Sequence, residues 1–258
     1  MNTPHPQWII PDWPAPAQVR AMVTTRAGGT SSGPYSGMNL GRRTDDDPAA
    51  VEANHEQLNR LLPEPPRWLA QVHGSTVVDA DMMTGTANEV PQADASVARR
   101  PGTVCAILVA DCLPVLFTDQ GGTCIAAAHA GWRGLAGGVL ANTIARMPAN
   151  PANLIAWIGP GIGPTAFEVG DDVLQAFCAD APERRSAFKP LPAAGKWLCD
   201  LPALARDALR RAGVTQVYGG DLCTYTDPQR FYSHRRNPVT GRMAALLWIT
   251  RGGTSDTV

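Results

Sequence analysis

Between residues 67 and 129 the chain is a succession of short apolar runs, each bounded by Gly, Pro or Asp. Runs of four to eight residues with these boundaries are typical of buried strands, because a strand buried on both faces needs no polar alternation. The pattern therefore predicts several buried strands in the middle of the chain. The runs are RWLAQVH, TVVDA, ASVAR, TVCAILVA, LPVLFT and TCIAAAHA.

The flanking segments add helices and further strands, and together they predict one mixed α/β domain over residues 1–258. A helix is expected to begin at Asp47 and Pro48, with Asp as N-cap and Pro at the first helical position. Gly137 and Gly138 lie inside a second helical pattern and weaken it. Helices are expected at 48–62, 133–147, 171–179 and 201–212, and strands at 18–25, 154–159, 214–220 and 242–250.

Charge and hydropathy exclude several kinds of partner. The net charge is -1, so there is no electrostatic case for binding nucleic acid or an anionic membrane. No stretch approaches the roughly 20 apolar residues of a membrane span. The N-terminus lacks the basic and apolar regions of a secretory signal. We therefore expect small-molecule chemistry, with no nucleic acid and no membrane as partners.

Six cysteines are spread through the chain, and none forms a CxxC pair. Several lie in apolar runs, where a free buried thiol is the ordinary expectation. Unpaired cysteines in a long chain are typical of a reducing compartment. The sequence thus predicts six free thiols and a cytoplasmic location. The cysteines are Cys105, Cys112, Cys124, Cys178, Cys199 and Cys223.

Two of the five histidines, with one cysteine, are candidates for a site. His73 and His129 each end an apolar run and have a Gly close behind, and Cys112 lies between two apolar runs in VADCLPV. Polar groups at strand ends are where sites are usually built. By contrast, His5 lies in a Pro-rich terminus, and His55 falls on the apolar face of a helix, where a core or boundary histidine is expected.

Two chemistries are open to this trio. As a ligand set, two imidazoles and one thiolate suit zinc and leave a fourth position for water, which is the arrangement of a catalytic site. The sequence spacing of the three residues is not that of a zinc finger and does not by itself indicate a metal site. Alternatively, Cys112 and His129 form a nucleophile–base pair of a metal-free thiol hydrolase or amidase, which leaves His73 without a role.

Several motifs together resemble the YfiH-type family, whose members are also called laccase domain-containing proteins, polyphenol oxidases or purine nucleoside phosphorylases. The resemblance covers about residues 20–250, in the same order. It implies a single-domain α/β/β/α sandwich with mixed sheets, of the α+β class. It also implies that His73, Cys112 and His129 are the metal ligands. The motifs are TTRAGGTSSGPYSGMNLG, QVHGSTV, ADASVAR, ADCLPV, HAGWRG, IGPGIGPTAFEVGDDV and FYSHRRNPVTGR.

The resemblance further implies phosphorolysis of adenosine, inosine and methylthioadenosine, and deamination of adenosine. Purine nucleosides and phosphate are thus the expected small-molecule partners. Deamination at zinc needs a carboxyl group to move protons, and Asp94 and Asp111 are the candidates beside Cys112 as catalytic residues. Asp111 is equally a candidate for orienting a ligand histidine.

Phosphate must be held by arginines and backbone amides, because the sequence contains no Walker-type loop. Arg26, Arg133 and Arg235 each lie inside a resembling motif, although any one of them is as well explained as a structural arginine. Asn39 and Ser36, in the Gly-rich loop 26–43, either shape the substrate pocket or cap a turn.

Copper must also be considered, because the family carries a laccase label. A four-copper oxidase needs about ten imidazoles, and this chain has five histidines. That class is therefore excluded, whereas weak polyphenol oxidase activity from Cu²⁺ in the His–Cys–His site stays open, since copper competes well for such donors. The family is also linked with peptidoglycan editing, and a scaffold that kept a metal site without turnover is a further alternative.

Overall fold

The computed structural model describes residues 5–83 and 90–251. The strands are β1 (Val19–Val23), β2 (Val77–Asp79), β3 (Ala95–Ala98), β4 (Val104–Val109), β5 (Leu113–Asp119), β6 (Ile125–Ala130), β7 (Leu154–Ile158), β8 (Glu168–Gly170), β9 (Phe188–Pro190), β10 (Lys196–Cys199), β11 (Gln216–Gly219) and β12 (Met243–Ile249). The α-helices are α1 (Pro48–Asn59), α2 (Trp132–Ala136), α3 (Val139–Arg146), α4 (Asp171–Cys178) and α5 (Leu201–Arg211).

Three sheets organise the described residues. The largest has six strands in the order β11-β7-β5-β6-β3-β2, and it is mixed, because its two outer pairs are parallel and its inner pairs antiparallel. The second, β1-β12-β4, is antiparallel throughout. The third, β8-β10-β9, is a small antiparallel sheet. Within this dense stretch, β5 and β6 are consecutive antiparallel neighbours joined by a short turn, whereas β4 belongs to the second sheet.

Side-chain alternation along β12 explains why two sheets stack. Ala245 and Leu247 pack into a core shared with the six-stranded sheet. Ala244 and Leu246 point the other way and pack into a core shared with Leu58 of α1. Successive residues of a strand face opposite sides, so a strand that lies between two layers must be apolar at every position. All seven residues of β12 are buried, as this requires.

Helices cover the opposite face of the six-stranded sheet. Ile144 of α3, Phe177 of α4 and Leu204 of α5 share one core with Val115 and Phe117 of β5. The order of layers is therefore helix α1, the β1-β12-β4 sheet, the six-stranded sheet, and the remaining helices. The expected α/β/β/α sandwich of the α+β class, with mixed sheets in a single domain, is confirmed.

The prediction of a strand at 67–73 is wrong. That segment makes only isolated bridges, Arg67 to Cys105 and Ala70 to Gln92. The reason lies in the Gln71 side chain, whose amide donates to the Leu108 carbonyl at 2.8 Å and accepts from the Leu108 N–H at 2.8 Å. A side chain thereby occupies hydrogen-bonding groups of β4 that a neighbouring strand would use.

The single helix expected at 133–147 is two helices in the structure. Helix α2 ends at Ala136, and Gly138 adopts a left-handed φ of 85° before α3 begins. Glycine reaches this conformation without steric cost. The first helix begins at Pro48, and the Asp47 side chain accepts from the Ala49 N–H, as expected; it ends at Asn59, before the Pro-rich segment. No helix in residues 5–83 or 90–251 has the length and apolar character that a membrane crossing needs.

Candidate metal centre

Two strand ends and one loop bring the candidate ligands together. Cys112 lies in the turn between β4 and β5, and His129 near the end of β6 pairs with Pro114 of β5. His73 lies in the segment before β2. One ligand atom from each of the three residues lies within 4.8 Å of the other two. We call these residues the His–Cys–His group; the sequence placed them in three separate motifs, and the fold makes them neighbours.

The backbone around this group adopts conformations that are costly for ordinary residues. His73 has φ 59° and Asp111 has φ 101°, the positive-φ non-glycine residues of the described chain. Such conformations cost on the order of 1–3 kcal/mol each and persist where the surroundings enforce them. Gly131 leaves the group its space, since a Cβ there would lie 2.7 Å from the Cys112 Sγ. Both features serve the placement of the ligands.

Asp94 ties the His73 segment to His129. Its side chain is fully buried. One carboxylate oxygen lies 2.8 Å from Nδ1 of His129, and the carboxylate accepts backbone N–H groups of Val72, His73 and Gly74 at 3.2, 2.9 and 2.7 Å. A carboxylate at Nδ1 fixes that nitrogen as the donor, so the Nε2 lone pair is available to a metal.

The electrostatics favour a thiolate at Cys112. Burial opposes its ionisation, but the charge of His129 and hydrogen bonds from His129 and His73 prevail and lower its pKa to about 6. For His129, burial acts to lower the pKa, and the Cys112 charge and the Asp94 hydrogen bond raise it to about 9. Thiolate sulfur is the form that binds metals. The donor set, two imidazoles and one thiolate, thus fits a metal ion such as zinc or copper.

The His–Cys–His group lies in the wall of a cavity of about 970 Å³. That size is at the upper end of small-molecule pockets, which span about 300–1,000 Å³. Asp111 is the one acidic residue among the described lining residues. The cavity is therefore suited to an anionic ligand. Its arginines are Arg42, Arg43, Arg133, Arg235 and Arg242, and its larger apolar side chains include Trp68, Leu69, Leu108, Trp132, Ile162, Phe167 and Leu201.

Two of the three arginines expected at the site line this cavity. The Arg133 guanidinium lies 4.3 Å from the ring centre of Trp132. Arg235 lies over Phe167 at 5.1 Å, and its Nη1 donates to the Glu168 carbonyl at 2.5 Å. Both arginines also line an adjoining cavity of about 530 Å³. They therefore lie where the two cavities meet.

Arg26 is not among the residues that line either described cavity. Its guanidinium donates to the carbonyls of Pro228 and Ser36 at 3.2 and 3.3 Å and lies over the Tyr232 ring. These contacts hold the Gly-rich loop against the segment before β12. Ser36 itself is exposed, and its carbonyl also accepts from the Tyr232 hydroxyl at 3.0 Å. The geometry of Arg26 and Ser36 is that of loop anchoring.

Asn39 likewise lies behind the cavity wall, fully buried. Its amide oxygen accepts the backbone N–H groups of Gly41 and Arg242 at 2.9 and 2.8 Å. Its amide nitrogen donates to Thr44 and Asp46. Asn39 therefore shapes the loop that carries Gly41 to Thr44 into the cavity wall and reaches the site through its neighbours.

Asp111 does line the cavity, but its carboxylate accepts from the Thr224 hydroxyl at 2.6 Å and the Arg235 backbone N–H at 2.7 Å. The carboxylate that contacts a candidate ligand histidine is that of Asp94 and not that of Asp111. His55 is buried, with Nε2 2.9 Å from the Leu40 carbonyl, as a core or boundary histidine would be. His5 accepts the Gln7 N–H through Nδ1.

Arg242 and His234 are lining residues that the sequence analysis did not single out. Both lie in FYSHRRNPVTGR, the motif from which Arg235 was chosen. The signal was therefore present as a basic cluster, but the pattern carries no information on which of its side chains face the site.

Fold and site together define a class of protein. A family model described as multi-copper polyphenol oxidoreductase laccase matches residues 20–250. The chain belongs to this family, and its resemblance to YfiH-type proteins is confirmed by its relatives.

The relatives carry a different name from the family description. The chain is 52% identical over 242 residues to a purine nucleoside phosphorylase of Pseudomonas aeruginosa, covering 94% of this chain and 98% of that protein. It is 48% identical over 243 residues to the purine nucleoside phosphorylase YfiH of Escherichia coli, covering 93% and 98%. The crystal structure of protein NMB0706 of Neisseria meningitidis aligns with a TM-score of 0.91 at 48% identity, covering 95% of this chain and all of that one.

Proposed function

We propose that this chain is a zinc-dependent purine nucleoside phosphorylase that acts on adenosine, inosine and methylthioadenosine. The observation that carries the proposal is the His–Cys–His group in the wall of an arginine-lined cavity of about 970 Å³. The names of the relatives support the reaction class. The cavity supports a substrate of nucleoside size accompanied by an anion. A cytoplasmic location, argued from the unpaired cysteines, belongs to the same proposal.

Zinc is the metal we assign to the His–Cys–His group. Three protein donors with a mixed N/S set are typical of catalytic zinc sites, and the fourth position stays open. Copper in the same three donors is the competing metal, since it binds N/S sites tightly. The family's laccase description would then reflect one copper ion, because five histidines cannot build a four-copper centre.

In phosphorolysis, a phosphate oxygen forms a bond to C1′ of the sugar as the bond from C1′ to the purine nitrogen breaks. The products are the 1-phosphate of the substrate's sugar and the free purine, whose ring nitrogen takes the proton that the phosphate gives up. Zinc, when bound, supplies a Lewis acid beside the reacting atoms. The chain itself supplies cations to the anion and flat apolar surfaces to the purine. Arg133 and Arg235 are the proposed substrate-binding arginines, each stacked on an aromatic side chain.

Deamination of adenosine is proposed as a second reaction at the same centre. It consumes water and releases inosine and ammonia, so it needs no phosphate. The proton-moving carboxyl would be Asp111, which lines the cavity, because Asp94 is fully buried and does not line it. For Asp94 the contacts favour a positioning role through His129.

One observation favours the alternative of a metal-free thiol enzyme. Cys112 contacts His129, and His129 contacts Asp94, so the three could serve as nucleophile, base and orienting carboxylate. The pKa of Cys112 is about 6. In that chemistry the thiolate would attack a carbonyl carbon, and His73 would have no part. A chelator separates the two functions, because it abolishes the zinc reaction and leaves a thiol hydrolase active.

The experiment is a product assay on the purified protein with adenosine, run with and without phosphate and with and without chelator. We expect adenine and ribose 1-phosphate only when phosphate is present, and loss of both after chelation. Ribose in place of ribose 1-phosphate would identify a hydrolase. Cleavage that survives complete metal removal would overturn the zinc assignment.

A further inference from the structure

Arg242 lies in the wall of the cavity that the His–Cys–His group also lines. Its backbone N–H donates to the amide oxygen of Asn39 at 2.8 Å. Its Nη1 donates to the carbonyls of Thr240 and Gly241 at 2.8 and 3.0 Å. Among the described residues, only Nη1 of this guanidinium donates to protein, so the Nη2 and Nε hydrogens remain for a ligand.

The loop opposite holds the stem of the same side chain. A Cβ at Gly41 would lie 2.8 Å from Cγ of Arg242, so the two segments approach as closely as glycine permits. Asn39 fixes both partners, since its oxygen also accepts the Gly41 N–H at 2.9 Å. The guanidinium is therefore held in place before any ligand arrives, which lowers the entropic cost of binding.

The charges around Arg242 are unbalanced in favour of an anion. Within the described residues it makes no ion pair, whereas Arg42 in the same wall pairs with Glu52 at 2.9 Å. Burial lowers the pKa of Arg242, whereas the charges of Cys112 and Asp111 act to raise it. The Asp111 carboxylate is already occupied by Thr224 and Arg235. A half-buried cation without a carboxylate partner is stabilised by a bound anion.

We propose that Arg242, positioned by Asn39, binds the inorganic phosphate that is the co-substrate of this enzyme. The inference rests on the proposed phosphorolysis and assigns its anion to one residue. Arg133 and Arg235 lie where the two cavities meet and contact aromatic rings, so they are left for the nucleoside. The planar guanidinium offers two parallel N–H groups to phosphate oxygens, an arrangement that lysine cannot reproduce.

The test compares Arg242→Met with Arg210→Met, which removes a charge from an exposed arginine that pairs with Asp207 and lines neither described cavity. Two readouts are needed: the phosphate KM of adenosine phosphorolysis, and the affinity for inorganic phosphate measured by calorimetry without nucleoside. For Arg242→Met, the phosphate KM should rise and the phosphate affinity should fall, each by about tenfold or more, as expected for the loss of one charge-assisted contact. For Arg210→Met both should change less than about twofold. Zinc content should not change in either variant.

Arg242→Lys keeps the charge and removes the planar fork, so it should give an intermediate loss and covers the case in which the methionine variant fails to fold. Unchanged phosphate affinity and KM in both Arg242 variants, with phosphorolysis intact in wild type, would overturn this inference and leave the proposed function standing. Absence of any phosphate dependence in wild type would overturn the two together.

Discussion

At the scale of single residues, the Asp94 carboxylate connects the segment that carries His73 to the ring of His129. One carboxylate meets Nδ1 of His129 and the N–H groups of three consecutive residues, including His73. It thus fixes the ring of one candidate ligand and the left-handed backbone of another. Strands β2 to β5 lie between the two histidines in sequence, and this buried carboxylate contacts the ring of one and the backbone of the other.

We expect Asp94→Asn to weaken zinc binding by about 10–100-fold, the usual cost of losing a carboxylate behind a ligand histidine. An amide has one oxygen acceptor and no charge, so it cannot serve the imidazole and three N–H groups together. The measurement is a zinc competition titration with a chromophoric chelator.

Asp81→Asn is the matched control for this titration. Asp81 also accepts two consecutive backbone N–H groups, those of Arg99 and Arg100, but it is not a residue of the cavity wall. Its substitution should leave the zinc affinity as in wild type. Equal zinc affinity for Asp94→Asn and wild type would show that His129 is oriented by something else.

At the scale of elements, the site depends on the approach of α2 to the segments that carry Cys112 and His73. Helix α2 begins one residue after Gly131, where a Cβ would meet the Cys112 Sγ at 2.7 Å and Cδ2 of His73 at 3.1 Å. Three residues further on, a Cβ at Gly134 would meet the Gly74 carbonyl at 2.7 Å. The HAGWRG motif is therefore a requirement of packing around the ligands.

Gly131→Ala should destabilise the fold by about 1–3 kcal/mol, the usual cost of overpacking, and should lower zinc occupancy, because the ligand side chains must move to make room. Gly137→Ala, at the other end of α2, meets its nearest atom at 3.2 Å and should retain zinc. Chemical denaturation and metal analysis of the two variants check this. Full zinc occupancy in Gly131→Ala would contradict the packing argument.

The sequence predicts most elements of this fold, for a physical reason. Strands such as β12 lie between two layers and are apolar at every position, and Asp200 caps α5 through the Ala203 N–H as its position before the helix predicts. The failures arise where a tertiary contact decides. Gln71 replaces a strand neighbour with its side chain, and nothing in RWLAQVH distinguishes that from strand pairing.

The sequence predicts the chemical groups of the site, but it does not predict which side chains contact one another or face the cavity. His73, Cys112 and His129 stood out because polar groups followed apolar runs beside glycines, and the motifs of the family supported them. That Asp94 rather than Asp111 contacts a histidine depends on the β3–β6 pairing, and that Arg242 faces the cavity while Arg26 does not depends on how two loops meet. Neither is encoded in local pattern.

At the scale of the whole molecule, the six cysteines differ in ways that report on metal binding. All six are free thiols. Cys105, Cys124 and Cys199 are almost completely buried, and burial raises the pKa of each to about 12. Cys178 and Cys223 are partly exposed. Cys112 alone combines partial exposure with a place in the His–Cys–His group.

Metal removal should therefore change the reactivity of one thiol. In native protein at pH 7, we expect a chelator to speed alkylation of Cys112 strongly and to leave the other five cysteines as they were. The rate at Cys112 should fall below about pH 6, where its thiolate is protonated. The measurement is peptide mapping by mass spectrometry after brief iodoacetamide treatment. An alkylation rate at Cys112 that is the same with and without chelator would contradict a bound metal.

The central claim is that His73, Cys112 and His129 hold one catalytic metal ion. Metal analysis of the purified chain beside His73→Ala, Cys112→Ala and His129→Ala tests it most directly, with circular dichroism to confirm folding. The account predicts about one zinc per chain in wild type, as expected for a three-ligand site, and loss of that zinc in each variant. Full zinc occupancy in all three folded variants would contradict it.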